Sequence, residues 1–106
     1  MNKREIKSKV KKAYSEAAKY PNFLENFKPR IQEVIDSYMP STTTNFWHVD
    51  KDIDYMSHVS KSMNYNTRQY LNLVTNYISL LVEAYEKGSR NIDVKKLFQT
   101  DIFDEE

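Results

Sequence analysis

The chain has 106 residues, with one Gly, three Pro, no Cys, 29% charged residues and a formal net charge of +1. That length sets one domain, residues 1–106, and the missing Cys excludes a disulfide scaffold, a thiolate metal site and thiol catalysis. A single Gly argues against a phosphate-cradling glycine loop, a nucleophile elbow and a sheet rich in tight hairpins.

The first predicted element runs from about Lys3 to Tyr20. Ile6, Val10, Ala13, Tyr14 and Ala17 recur at spacings of three and four, which is one apolar stripe on a helix. Its other face carries Lys3, Arg4, Lys7, Lys9, Lys11 and Lys12. Pro21 ends it, because the residue before a proline avoids the α region.

A second apolar pattern spans about Asn22 to Met39, with Phe23, Phe27, Ile31, Val34, Ile35 and Tyr38 on one face. Pro29 falls inside it. The preferred reading starts a helix at Pro29, after a short turn over 22–28, because proline suits the first helical position and breaks an interior. A polar loop follows, Ser41-Thr42-Thr43-Thr44-Asn45, and Phe46 and Trp47 stand near its end. Those two aromatics either plug the end of a bundle or anchor a partner.

The third predicted helix covers about Asp50 to Met63, with Ile53, Met56, Val59 and Met63 as its apolar edge. Asp50, Asp52 and Asp54 complement the helix dipole at its start. The fourth is the best defined: Asn66 followed by Gln69 reads as a capping box. Tyr70, Leu71, Val74, Tyr77, Ile78 and Leu81 then recur at helical spacing, Leu73 and Leu80 widen the stripe, and Gly88 stands where a left-handed residue closes a helix. A turn or two through Val94, Leu97 and Phe98, capped by Asn91 or Asp93, leads into an acidic and flexible tail at 99–106. The fold expected is all-α: a small bundle of four helices plus a short C-terminal helix and tail.

Catalytic centres are not evident. His48 and His58 have no metal-ligand spacing between them, although Asp54 and His58 at i, i+4 share a helix face. Asp50-Lys51-Asp52-Ile53-Asp54 begins like a calcium loop, but Tyr55 replaces the required glycine and Lys61 the bidentate glutamate. No enzyme activity, cofactor or metal is expected. The start of the chain has no apolar run of signal-peptide type, and no segment approaches the roughly 18 apolar residues that span a bilayer, so a cytoplasmic protein is expected.

Charge is segregated. Residues 1–30 hold nine Lys/Arg and three Glu, residues 31–86 three and seven, and residues 87–106 four and five, giving +6, −4 and −1. The basic start suits an acidic protein surface or, as an alternative, nucleic-acid phosphates; the plain reading is a solvated face that pairs with the acidic helices. A helix-turn-helix across Gly88 would need a longer second element than residues 93–99 provide.

Gln99-Thr100-Asp101-Ile102-Phe103 resembles the pentapeptide by which bacterial replication and repair proteins dock on the sliding clamp. The resemblance implies a polar anchor at Gln99 and an apolar plug of Ile102 and Phe103, with Thr100 replacing the usual Leu. The plain reading folds Leu97, Phe98, Ile102 and Phe103 onto the bundle. In architecture alone, the chain is also similar to bacteriocin immunity proteins, helical bundles of about this size with an extended C-terminal tail. Lysine outnumbers arginine twelve to four, beside nine Asn and eight Tyr, a composition associated with phages and mobile elements of AT-rich bacteria. The function expected is that of a non-catalytic protein-binding inhibitor or adaptor from such an element, acting on a host machine.

Overall fold

The structure, a computed structural model, describes residues 3–39, 48–89 and 92–99. Four helices run in chain order: α1 Lys3–Ala17, α2 Phe23–Tyr38, α3 Val49–Ser62 and α4 Thr67–Glu86, followed by a 3-10 turn, Val94–Phe98. There is no strand among the described residues. The expected all-α bundle is therefore the observed one. Short connections at 18–22 and 63–66 force α1 against α2 and α3 against α4 as antiparallel neighbours. α4 also packs on α1, and α2 touches both α3 and α4, so the helices alternate up and down around a shared core.

Periodicity explains what is buried. Ile6, Val10, Ala13 and Ala17 of α1 face inward, opposite Phe27, Ile31, Val34 and Ile35 of α2. α4 buries residues over a wider arc, including Leu73, Val74, Tyr77, Ile78 and Leu81, because it has neighbours on several sides. Two expected core positions are displaced. Met63 caps α3 where the chain has already turned away, and is 49% exposed; Leu80 stands in the groove beside Lys3 and is 39% exposed.

Pro29 corrects the sequence reading. It lies inside α2, which begins six residues earlier at Phe23. The proline removes one ladder bond, leaving the carbonyl of Glu25 without its partner four residues on. Glu25 is exposed, so water can serve that oxygen. Against this cost, Phe23 stacks on Phe27 with ring centroids 5.3 Å apart, and Tyr14 meets Phe23 edge-on at 4.6 Å. The apolar face continues through Pro29, and its burial outweighs the local preference for a break.

Both later helices end in the same way. The carbonyl of Ser60 accepts from the Tyr65 N–H at 2.9 Å and that of Lys61 from the Asn64 N–H at 3.2 Å, with Asn64 at φ 58°. At the end of α4, Ala84 accepts from Ser89 at 2.8 Å and Tyr85 from Gly88 at 3.0 Å, with Gly88 at φ 80°. These paired bonds form Schellman closures, which need a left-handed residue at that position. Gly88 was expected there; the Asn64 closure was not. The start of α4 carries the expected capping box, with Asn66 Oδ1 accepting from the Gln69 N–H at 2.8 Å and Gln69 Oε1 from the Asn66 N–H at 2.9 Å.

After Gly88 the chain turns back along α4. Asp93 Oδ1 accepts from the Lys95 N–H at 3.1 Å and caps the 3-10 turn. Leu97 is buried, and Phe98 packs against Tyr55 and Tyr65 with centroids 5.9 and 6.2 Å away. The 3-10 turn covers only Val94–Phe98, too short for the second element of a helix-turn-helix. Among the described residues, no helix is long and apolar enough to cross a membrane.

Candidate functional site

The basic face of α1 follows from the narrowness of its apolar stripe. With only every third or fourth residue turned inward, the lysines cover the rest of the helix circumference. Lys3, Arg4, Lys9, Lys11 and Lys12 are exposed and Lys7 is half-buried. Lys3 borders the α1–α4 groove, whereas Lys9 and Lys12 border the α1–α2 groove with Arg30.

Several carboxylates of the bundle pair with cations other than Lys9, Lys11 and Lys12. Glu16 Oε1 lies 3.4 Å from Arg30 Nε, Asp54 Oδ1 lies 2.7 Å from Lys28 Nζ, and Glu83 Oε2 lies 4.0 Å from Lys87 Nζ. The hydrogen bond to Asp54 holds the Lys28 ammonium above its ordinary value. No carboxylate among the described residues comes within ion-pair distance of Lys9, Lys11 or Lys12. The face is solvated as expected, but for these three lysines the expected pairing with the acidic helices is missing.

A second polar feature lies between α3 and α4, where the Tyr77 hydroxyl donates to Asp52 Oδ2 at 2.6 Å. Burial pushes the Asp52 carboxyl above its ordinary range, and the hydrogen bond from Tyr77 and the field of His48 pull it partly back. Burial and the adjoining carboxylate push the Tyr77 phenol well up. Asp54, which shares a helix face with His58 at i, i+4, pairs instead with Lys28, and His58 is exposed. Among the described residues, no three His, Cys, Asp or Glu side chains gather where a metal ion could be held.

The tail is described only at its start. Gln99 is exposed and follows the anchored Leu97 and Phe98. Ile102 and Phe103 of the clamp-like pentapeptide, and Phe46 and Trp47 of the loop, lie outside the described residues. Sequence reasoning missed two buried hydroxyls, on Ser60 and Tyr70, that have no hydrogen-bond partner. Each sits at an ordinary inward position of its helix, so no local pattern marks it. No family model, no curated protein and no solved structure matches the chain.

Proposed function

We propose that this chain is a non-catalytic binding module that docks the basic face of α1 on an acidic surface of a protein partner, in the manner of a small inhibitor or adaptor. The observation that supports this reading is the trio Lys9, Lys11 and Lys12, exposed and without a carboxylate partner among the described residues, on a helix otherwise fixed in the core. Charge of one sign on a rigid element steers encounter and selects an oppositely charged face. Protein is favoured over nucleic acid because the basic segment, residues 1–30, has only two arginines, the residue that best forks onto phosphates and base edges. The tail pentapeptide would supply a second contact starting at the exposed Gln99, and a phage or mobile-element inhibitor of a host machine is the biological setting proposed.

The test is capture from nuclease-treated bacterial lysate on the immobilised chain, followed by binding to the purified, identified partner. The expected partner is acidic, its affinity falls with added salt, and the triple variant Lys9→Glu, Lys11→Glu, Lys12→Glu loses it while melting as the parent does. Salt-sensitive binding to duplex or single-stranded nucleic acid with no protein partner would overturn the reading in favour of a nucleic-acid regulator.

A further inference from the structure

The end of the bundle where α1 passes to α2 and α3 passes to α4 contains a cleft of about 520 Å³. That lies within the roughly 300–1,000 Å³ of small-molecule sites. Its floor is buried and includes Ser60 and Tyr70; its walls are the half-buried rings of Tyr14, Phe23 and Tyr65. Glu25 and Lys61, both exposed, contribute one charge of each sign to the rim.

Four buried side-chain hydroxyls lack a hydrogen-bond partner among the described residues, on Tyr38, Ser60, Tyr70 and Ser79. Two of them, Ser60 and Tyr70, belong to this one cleft, and both residues are more than nine-tenths buried. A buried hydroxyl with no acceptor is costly, and each such group in a folded protein calls for a reason. Both residues line the same aromatic-walled cleft, and a ligand acceptor reaching them there would supply one. Two of the large apolar side chains most exposed to solvent, Tyr20 at 52% and Met63 at 49%, lie just after α1 and α3 at this same end.

We propose that this cleft binds a small, uncharged, planar aromatic molecule that carries a hydrogen-bond acceptor. The ring walls select a flat apolar body, since aromatic faces gain from stacked and edge-on contact. The two hydroxyls each offer an O–H, so a carbonyl oxygen or ring nitrogen with free lone pairs satisfies what the protein leaves open. A charged ligand is disfavoured because the floor has no counter-ion and the rim charges offset one another. A ligand acceptor reaches the hydroxyls only if the lining side chains shift, since both hydroxyls are covered in the free protein.

The test uses the full chain and two probes of like shape: quinolin-2-one, which carries an acceptor carbonyl, and naphthalene, which has none. Titration followed by amide NMR is expected to move the signals of Phe23, Tyr65 and Tyr70 with quinolin-2-one. Naphthalene is expected to bind about tenfold more weakly, as the loss of one or two net hydrogen bonds implies. Tyr70→Phe and, separately, Ser60→Ala are expected to shrink that preference while leaving the melting temperature unchanged or raised, because each removes an unpaired buried group. The proposal is overturned by equal affinity for the two probes, or by unmoved lining signals at about 1 mM probe. A fall in melting temperature in both variants would also overturn it, because the hydroxyls would then be paired within the fold. So would a bound water that bridges the two hydroxyls and resists displacement by the probe.

Discussion

The Tyr77 hydroxyl and the Asp52 carboxylate meet at 2.6 Å although they stand 25 residues apart in the chain. The bond ties the first turn of α3 to the middle of α4. Removing the donor leaves a half-buried carboxylate with one acceptor site unmet, so Tyr77→Phe is expected to cost about 1–3 kcal/mol at neutral pH. Urea unfolding at pH 7 measures it. The loss should shrink in acid, where the carboxyl is protonated and needs the donor less.

Asp52 itself gives a pH dependence whose sign is fixed. Its folded pKa lies above the ordinary 3.8, chiefly through burial. Between the unfolded and folded values the native state holds more protons, so this group's contribution is fully present below 3.8 and is lost as pH rises through the folded value. Asp52→Asn removes that dependence. Its stability relative to the parent should therefore improve as pH rises from 3 towards 7, and a relative stability that is flat across that span would contradict the account.

Pro29→Ala restores a backbone donor opposite the Glu25 carbonyl. The interior-proline penalty is about 3 kcal/mol, offset by roughly 1 kcal/mol of added unfolded-state freedom. A net gain of about 1–2 kcal/mol is expected, read as a raised melting temperature. If α2 instead began at Pro29, the same change would be neutral or harmful.

Helix closures give a matched pair of predictions. Gly88→Ala meets no atom within 4 Å, so its cost is purely that of a Cβ at φ 80°, about 1–2 kcal/mol. Asn64→Gly, at φ 58°, should be neutral or slightly stabilising. Thermal unfolding of the two variants should therefore move in opposite directions or move only for Gly88.

Leu97 tests how firmly the C-terminal segment is seated. It is 2% exposed, so Leu97→Ala is expected to cost about 2–4 kcal/mol, as for other buried leucines. A cost near zero, measured by urea unfolding, would mean that the 3-10 turn is separable from the bundle.

Local signals were the ones readable in the sequence. The capping box of Asn66 and Gln69 and the closing role of Gly88 each depend on residues within a few positions, and both hold. Pro29 was misread because its local preference opposed a tertiary gain: Tyr14 of α1 meets both Phe23 and Phe27 edge-on once α2 extends back to Phe23. Asn64 escaped notice because asparagine in the left-handed region has no flanking signature as strong as glycine. The basic face was visible as composition, but the missing ion pairs at Lys9, Lys11 and Lys12 depend on where Glu16 and Asp54 turn after folding. The juxtaposition of Ser60 and Tyr70 depends on the packing of two helices, which no spacing encodes.

The interrupted ladder at Pro29 has a kinetic consequence. The bond missing at Glu25 interrupts the ladder of α2 once, just after its leading turn, where Phe23 and Phe27 also hold ring contacts with Tyr14. Cooperative opening units follow such seams. Amides ahead of Pro29 should exchange with solvent through a smaller opening than those after it, so the aromatic end of the molecule breathes while the rest of α2 stays closed.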